Sequence, residues 1–206
     1  MVQAFYETHF TDAVRQMQKD EGTSAMYARQ LSDAAPRKDK IGLDEKHFLS
    51  MRDGFYQATV SDNGWPYVQF RGGPRGFLKV LDEKTIAYAD FRGNRQYISD
   101  GNLQGNDRIA IIAVDYPNSA RIKILGRARL SDDVKLIEKL RDADYRGYVE
   151  RAVVIDVEAF DWNCPQHLPV RLTMEELQPM LAPFQQELAQ LRAENAQLKE
   201  RLSQGE

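Results

Sequence analysis

The sequence predicts a mainly β domain with peripheral helices, closed into a small barrel and followed by a C-terminal helix of another kind. Three observations predict it. From Phe55 to Phe160, apolar residues fall in short strand-like runs separated by turn signals. Helical spacing is confined to the first 52 residues and to short segments between strands. Past residue 173, leucines recur at alternating steps of four and three.

Residues 5–31 read as helical, with Phe10, Val14 and Met17 at helical spacing and Gly22 as an interruption. Asp33–Ile41 is polar, holds Pro36 and three basic residues, and reads as a surface loop. Asp44 is a candidate N-cap for a short helix carrying Phe48, Leu49 and Met51, ended by Asp53-Gly54. Phe55–Val60 and Trp65–Arg71 then form a hairpin about Asn63-Gly64. Phe77–Leu81 pairs with Thr85–Ala89. Ile98–Leu103 gives one or two helical turns, and Arg108–Asp115 is a buried strand by its apolar run. Tyr116–Ser119 turns the chain into Ala120–Leu130. Asp132 and Asp133 open a short helix through Leu140, and Ala152–Phe160 is the last strand. Closure into a barrel removes the exposed edges such strands would otherwise present.

Composition narrows the function classes. The 206 residues suffice for one well-filled core plus an appendage, and 28 basic against 31 acidic residues give a formal charge of −3. That balance argues against a dedicated nucleic-acid or anionic-membrane binder. No run approaches the roughly 18 apolar residues of a membrane span. The start lacks the basic and apolar regions of a signal peptide, and the single cysteine, Cys164, allows no intrachain disulfide. A cytoplasmic location is expected. Cys164 reads as a buried small hydrophobe, and His9 and His47 as surface or boundary residues. No residue set has the spacing of a metal site.

The strongest chemical signal is a glycine-broken strand pair. Arg71-Gly72-Gly73-Pro74-Arg75-Gly76-Phe77-Leu78-Lys79 precedes Tyr88-Ala-Asp90-Phe-Arg-Gly-Asn94-Arg95-Gln96. Glycine beside arginine lets backbone approach a flat anionic ligand, and two guanidinium forks suit phosphate oxygens. The plainer alternative is a surface turn with two exposed arginines.

The tail carries the second signal. Leu177, Leu181, Phe184, Leu188, Leu191, Asn195, Leu198 and Leu202 occupy heptad a and d positions, with Asn195 at an a position. Glu187 and Glu194 at g would face Arg192 and Lys199 at e of a parallel partner, so a parallel two-stranded zipper is favoured. Pro179 and Pro183 restrict the expected continuous part to about Phe184–Leu202, with Pro183 in the first turn. A helix laying its leucines on its own domain is the alternative.

The motifs from Phe55 to Arg171 resemble the pyridoxamine 5'-phosphate oxidase-like family of FMN-binding split barrels. They are Arg71–Leu78, Phe91–Ile98, Gly101–Leu103, Asp115–Asn118, Ile122–Ala128 and Asp161–His167. The resemblance implies a six-stranded antiparallel split barrel in residues 1–172, with N-terminal helices in 1–52 and a coiled-coil helix in 173–206. It implies a homodimer with FMN at the subunit interface and a small-molecule substrate. Arg71, Gly72, Gly73, Pro74, Phe77, Leu78 and Lys79 would line the ring and help hold the phosphate. Tyr88, Asp90, Asn94, Arg95 and Gln96 would bind ribityl and phosphate, with Gln96 where relatives often carry lysine. Arg121 would lie near the flavin, where a cation stabilises negative charge at N1/C2=O. Trp162 and Arg171 would reach the flavin edge from the second subunit.

The oxidases that oxidise pyridoxine phosphate carry Arg-x-His near the C-terminus. Here His167 and Arg171 stand four apart, so the substrate stays open. The expected activity is an FMN-dependent oxidoreductase working through flavin N5, with no residue assignable as acid or base. The alternative from another class is a non-catalytic flavin- or tetrapyrrole-binding module whose zipper recruits a partner.

Overall fold

A computed structural model describes residues 3–32 and 34–205; Asp33, at the start of the expected polar loop, lies outside them. Helices α1 (Ala4–His9), α2 (Asp12–Asp20) and α3 (Leu43–Ser50) precede strands β1 (Gly54–Val60), β2 (Pro66–Gly72), β3 (Lys79–Val80) and β4 (Thr85–Phe91). Then follow α4 (Ile98–Gly105), β5 (Arg108–Asp115), β6 (Ala120–Ser131), α5 (Val134–Leu140), β7 (Val149–Trp162) and α6 (Met174–Ser203). The chain divides into two compact units. One comprises residues 1–115 and 120–166; the other comprises 116–119 and 167–206.

The first unit is mainly β with peripheral helices. Its strands form one antiparallel sheet in the order β2-β1-β5-β6-β7-β4-β3. Among the described residues its end strands β2 and β3 do not pair, so the expected closure into a barrel is not seen. The resemblance implies six strands and the sheet has seven, the expected Phe77–Leu81 strand shortened to the two-residue β3, which pairs with β4 through Lys79↔Ala87 and Val80↔Ile86. Inward-facing Phe55, Phe77, Ile86, Tyr88, Ile122, Ile124 and Ile155 fill the core, all 3% exposed or less. Full burial of such a side chain stabilises by about 1.5–3 kcal/mol. The Phe55 and Phe77 rings stack at 5.5 Å between centroids, tying β1 to the turn before β3.

Two helix readings need correction. The stretch 5–31 is not one helix: Phe10 ends α1, the Thr11 hydroxyl caps α2, and a 3-10 turn follows at Ser24–Tyr27. Asp44 does not cap α3. Gly42 holds that position, and its amide donates to the Glu45 carboxylate at 3.0 Å. The same Glu45 accepts from the Trp162 indole at 2.8 Å, which fixes α3 against the end of β7.

The glycine-rich turn is a built structure. Gly73 donates to Asp53 carbonyl at 2.9 Å, Gly76 to Arg52 carbonyl at 2.8 Å, and Phe77 to Pro74 carbonyl at 2.9 Å. Gly76 has φ +77°, and a Cβ there would stand 2.8 Å from the Ser50 carbonyl oxygen. Gly76→Ala is therefore expected to destabilise the domain by about 1–3 kcal/mol. The check is a lower urea midpoint at unchanged slope.

In the second unit, α6 is a single 30-residue helix. It begins ten residues before the expected Phe184, because Thr173 and Glu176 form a capping box: the Thr173 amide donates to the Glu176 carboxylate at 2.9 Å. Both prolines lie inside it, so Pro183 is not in the first turn. Among the described residues, no helix is long and apolar enough to cross a membrane.

Candidate functional site

A cleft of about 370 Å³ opens in the first unit between β2, β4 and the loop before α4. That volume lies in the range of roughly 300–1,000 Å³ typical of small-molecule sites. Strand alternation builds one wall. Tyr67, Gln69 and Arg71 share a face of β2 and all line the cleft, as do Tyr88 and Asp90 of β4.

Beneath this wall lies a buried ion cluster. Arg71 Nη1 is 2.6 Å from Asp90 Oδ1, and its Nη2 is 3.7 Å from Asp100 Oδ1. Arg151 Nη1 stands 3.4 Å from Asp100 Oδ2. The four charges cancel. Burial disfavours the Arg71 charge, but Asp90 and Asp100 help outweigh it and keep the guanidinium protonated. Burial also pushes the Asp90 carboxyl up from its usual range; Arg71 opposes this, while Asp100 reinforces it. The Tyr88 hydroxyl, raised by burial, donates to Gln57 Oε1 at 2.6 Å. Arg71 Nε is buried and makes no hydrogen bond.

The opposite side is an exposed loop rich in donors. Asn94 Oδ1 accepts from the Gln96 amide at 3.1 Å, an Asx turn. Arg95 (φ +61°) and Tyr97 (φ +53°) adopt left-handed backbone, and Tyr97 is the N-cap of α4. The first amides of a helix have no intrahelical acceptor, so this end of α4 presents donors with a positive dipole behind them. Arg92 lies 4.1 Å over the Tyr148 ring and bonds Glu150 at 2.7 Å, which holds the Glu150 carboxyl below its usual range. Glu150 reaches the cleft through a bulge. Asp90 pairs with Arg151 but Phe91 with Val149, leaving Glu150 as the extra residue of β7.

Of the residues expected from the sequence, Arg71, Gly72, Phe77, Tyr88, Asp90, Asn94, Arg95 and Gln96 come together around this cleft. Gly73 and Pro74 form the turn behind it, Leu78 is in the core, and Lys79 is in β3. Arg121 is on β6, donating at 3.1 Å to the Cys164 carbonyl, and does not line the cleft. Trp162 packs edge-on against Phe48 at 4.8 Å. Arg171 belongs to the second unit, its guanidinium 4.9 Å over the Tyr116 ring of that unit. Cys164, expected to be buried, is exposed, because β7 has already ended at Trp162. Sequence reasoning missed Asp100, Glu150 and Tyr97. The period-two spacing of Tyr67 and Gln69 from Arg71 could have added those two.

The sheet wall of this mainly β domain thus faces a basic, amide-rich loop at the start of α4. The chain belongs to the pyridoxamine 5'-phosphate oxidase family, whose model matches residues 45–176. No curated protein matches it. Among solved structures it is similar to HupZ of Group A Streptococcus, at 20% identity and TM-score 0.49, covering 64% of this chain and all of that one. It is also similar to an FMN-binding protein of Syntrophomonas wolfei, at 10% identity and TM-score 0.48, covering 74% and 96% of the two chains. A protein of Clostridium acetobutylicum related to general stress protein 26 is 16% identical, with TM-score 0.46 and coverage of 66% and 95%.

Proposed function

We propose that the protein is an FMN-binding oxidoreductase whose cofactor phosphate sits on the Gly93–Tyr97 loop. The carrying observation is the cleft itself: the Arg95 guanidinium, Arg92 shared with Glu150, and the amides at the start of α4 on one side, and on the other a strand wall whose own charges are already balanced. A phosphate-bearing flavin fits that arrangement in volume and sign. Arg95 and Arg92 would supply cations to the phosphate, Asn94 and Gln96 would bond ribityl hydroxyls, and Phe77 and Tyr88 stiffen the wall. Arg71 acts as a positioning residue, its fork spent on Asp90 and Asp100 behind the wall. FMN would supply hydride or electron transfer through its N5, and the chain binds, orients and limits water.

We assign the flavin domain to residues 1–172 and the tail to 173–206. A homodimer is supported by the outer sheet face, where Tyr56, Val68 and Phe70 are 40%, 61% and 58% exposed beside an apolar groove. Trp162 and Arg171, which do not line the cleft, would meet a flavin only from the partner copy. A cytoplasmic setting agrees with the single exposed thiol.

The second reading is a flavin- or tetrapyrrole-binding module without turnover, favoured by the commitment of the cleft's carboxylates, Asp90, Asp100 and Glu150, to ion pairs with Arg71, Arg151 and Arg92. Anaerobic addition of NAD(P)H or another donor to the FMN-loaded protein separates the two. Bleaching near 450 nm that recovers with an added acceptor, over many cycles, supports the oxidoreductase. FMN that binds but never cycles with any donor supports the module.

A further inference from the structure

We propose that α6 pairs in parallel and in register with α6 of a second copy, along a seam from Leu177 to Leu202. The helix supplies what the sequence pattern left short. It is unbroken over 30 residues, about 45 Å at 1.5 Å per residue, so the seam gains the turns before Phe184. On the heptad frame with Asn195 at a, Pro179 falls at f and Pro183 at c. Both positions face away from the seam, so the rings omit two ladder bonds on the outer face without blocking the approach of a partner. The seam itself is bare. Phe184, Leu188, Leu191, Leu198 and Leu202 are 48–75% exposed, and no residue of α6 is buried.

Charge selects the occupant. In a parallel pair, Glu187 at g meets the partner's Arg192 at e, and Glu194 meets the partner's Lys199. Both contacts are of opposite sign, and each forms twice by symmetry. Within the helix, Glu194 Oε1 accepts from Gln190 Nε2 at 3.0 Å. Asn195 faces Asn195 of the partner only when the two helices are in register, because any shift buries the amide against leucine. The seam is thus self-complementary, and its two-fold symmetry is that of a closed homodimer.

Disulfide trapping in the full-length chain tests this. Cys164→Ser removes the native thiol, and a cysteine is then placed at Leu198, a d position, or at Gln197, an outward c position. Facing d residues of a parallel in-register pair come within disulfide reach, whereas c residues do not. Under mild oxidation, Leu198→Cys is expected to give about tenfold more cross-linked dimer than Gln197→Cys. Adding Glu187→Lys and Glu194→Lys should reduce the yield, and adding Arg192→Glu and Lys199→Glu as well should restore it. Equal or absent cross-linking at the two positions would overturn the proposal, in favour of an antiparallel pair, a different partner or packing on the chain's own domain. Failure of the charge swap to restore the yield would overturn it too.

Discussion

Arg71→Ala is expected to lower the stability of the sheet domain by about 3–5 kcal/mol, the usual cost of breaking a buried ion pair from one side. The Arg71 side chain is 14% exposed, and its guanidinium stands between Asp90, at 6%, and Asp100, at 7%. Removing it leaves two buried carboxylates sharing Arg151 alone. Arg71→Lys would restore the charge without the fork that spans both carboxylates, and should recover only part of the loss. Urea unfolding at neutral pH is the check. A midpoint shift worth less than about 1 kcal/mol would mean the cluster is open to solvent and that Arg71 is free to hold a ligand directly.

Arg95→Ala is expected to weaken FMN binding by about 10- to 100-fold while leaving riboflavin binding unchanged. A hydrogen bond to a charged group contributes about 1.5–3 kcal/mol, and each 1.4 kcal/mol is tenfold in affinity. Arg95 is exposed, and its Nε donates to the Tyr97 hydroxyl at a long 3.3 Å, so its loss should barely touch folding. Arg92→Ala should act in the same direction but less cleanly, since it also releases Glu150 into the cleft. Parallel fluorescence titrations of the two flavins give both numbers. A loss shared equally by FMN and riboflavin would place Arg95 against the ring instead of the phosphate.

The strands were legible in the sequence because the sheet enforces a two-residue period: Phe55, Gln57 and Thr59 alternate inward with Tyr56, Ala58 and Val60 outward. The Asn63-Gly64 turn and the Asp133 cap of α5 were equally local signals. The site was half legible. Glycine and arginine marked the two strand ends, yet the pairing of Arg71 with Asp90 and Asp100 spans 19 and 29 residues, and periodicity says nothing of it. Asp100 reads locally as an ordinary acidic residue in a first helical turn. Glu150 reaches the cleft only because β7 carries one residue more than β4 at that point, a fact of pairing that no single strand contains. At Asp44 and Pro183 the local rules pointed the wrong way. In each case a better arrangement lay nearby: Glu45 bonding the Gly42 amide, and Thr173 with Glu176 capping α6 earlier.

Side-by-side melting curves with FMN and riboflavin decide whether the cleft holds a flavin by its phosphate. A ligand at 100 times its dissociation constant stabilises by about 2.7 kcal/mol, which in a domain of this size raises Tm by about 5–10 °C. Such a rise is expected with FMN, and little or none with riboflavin at the same concentration. Equal shifts with both flavins, or no shift with either, would contradict it.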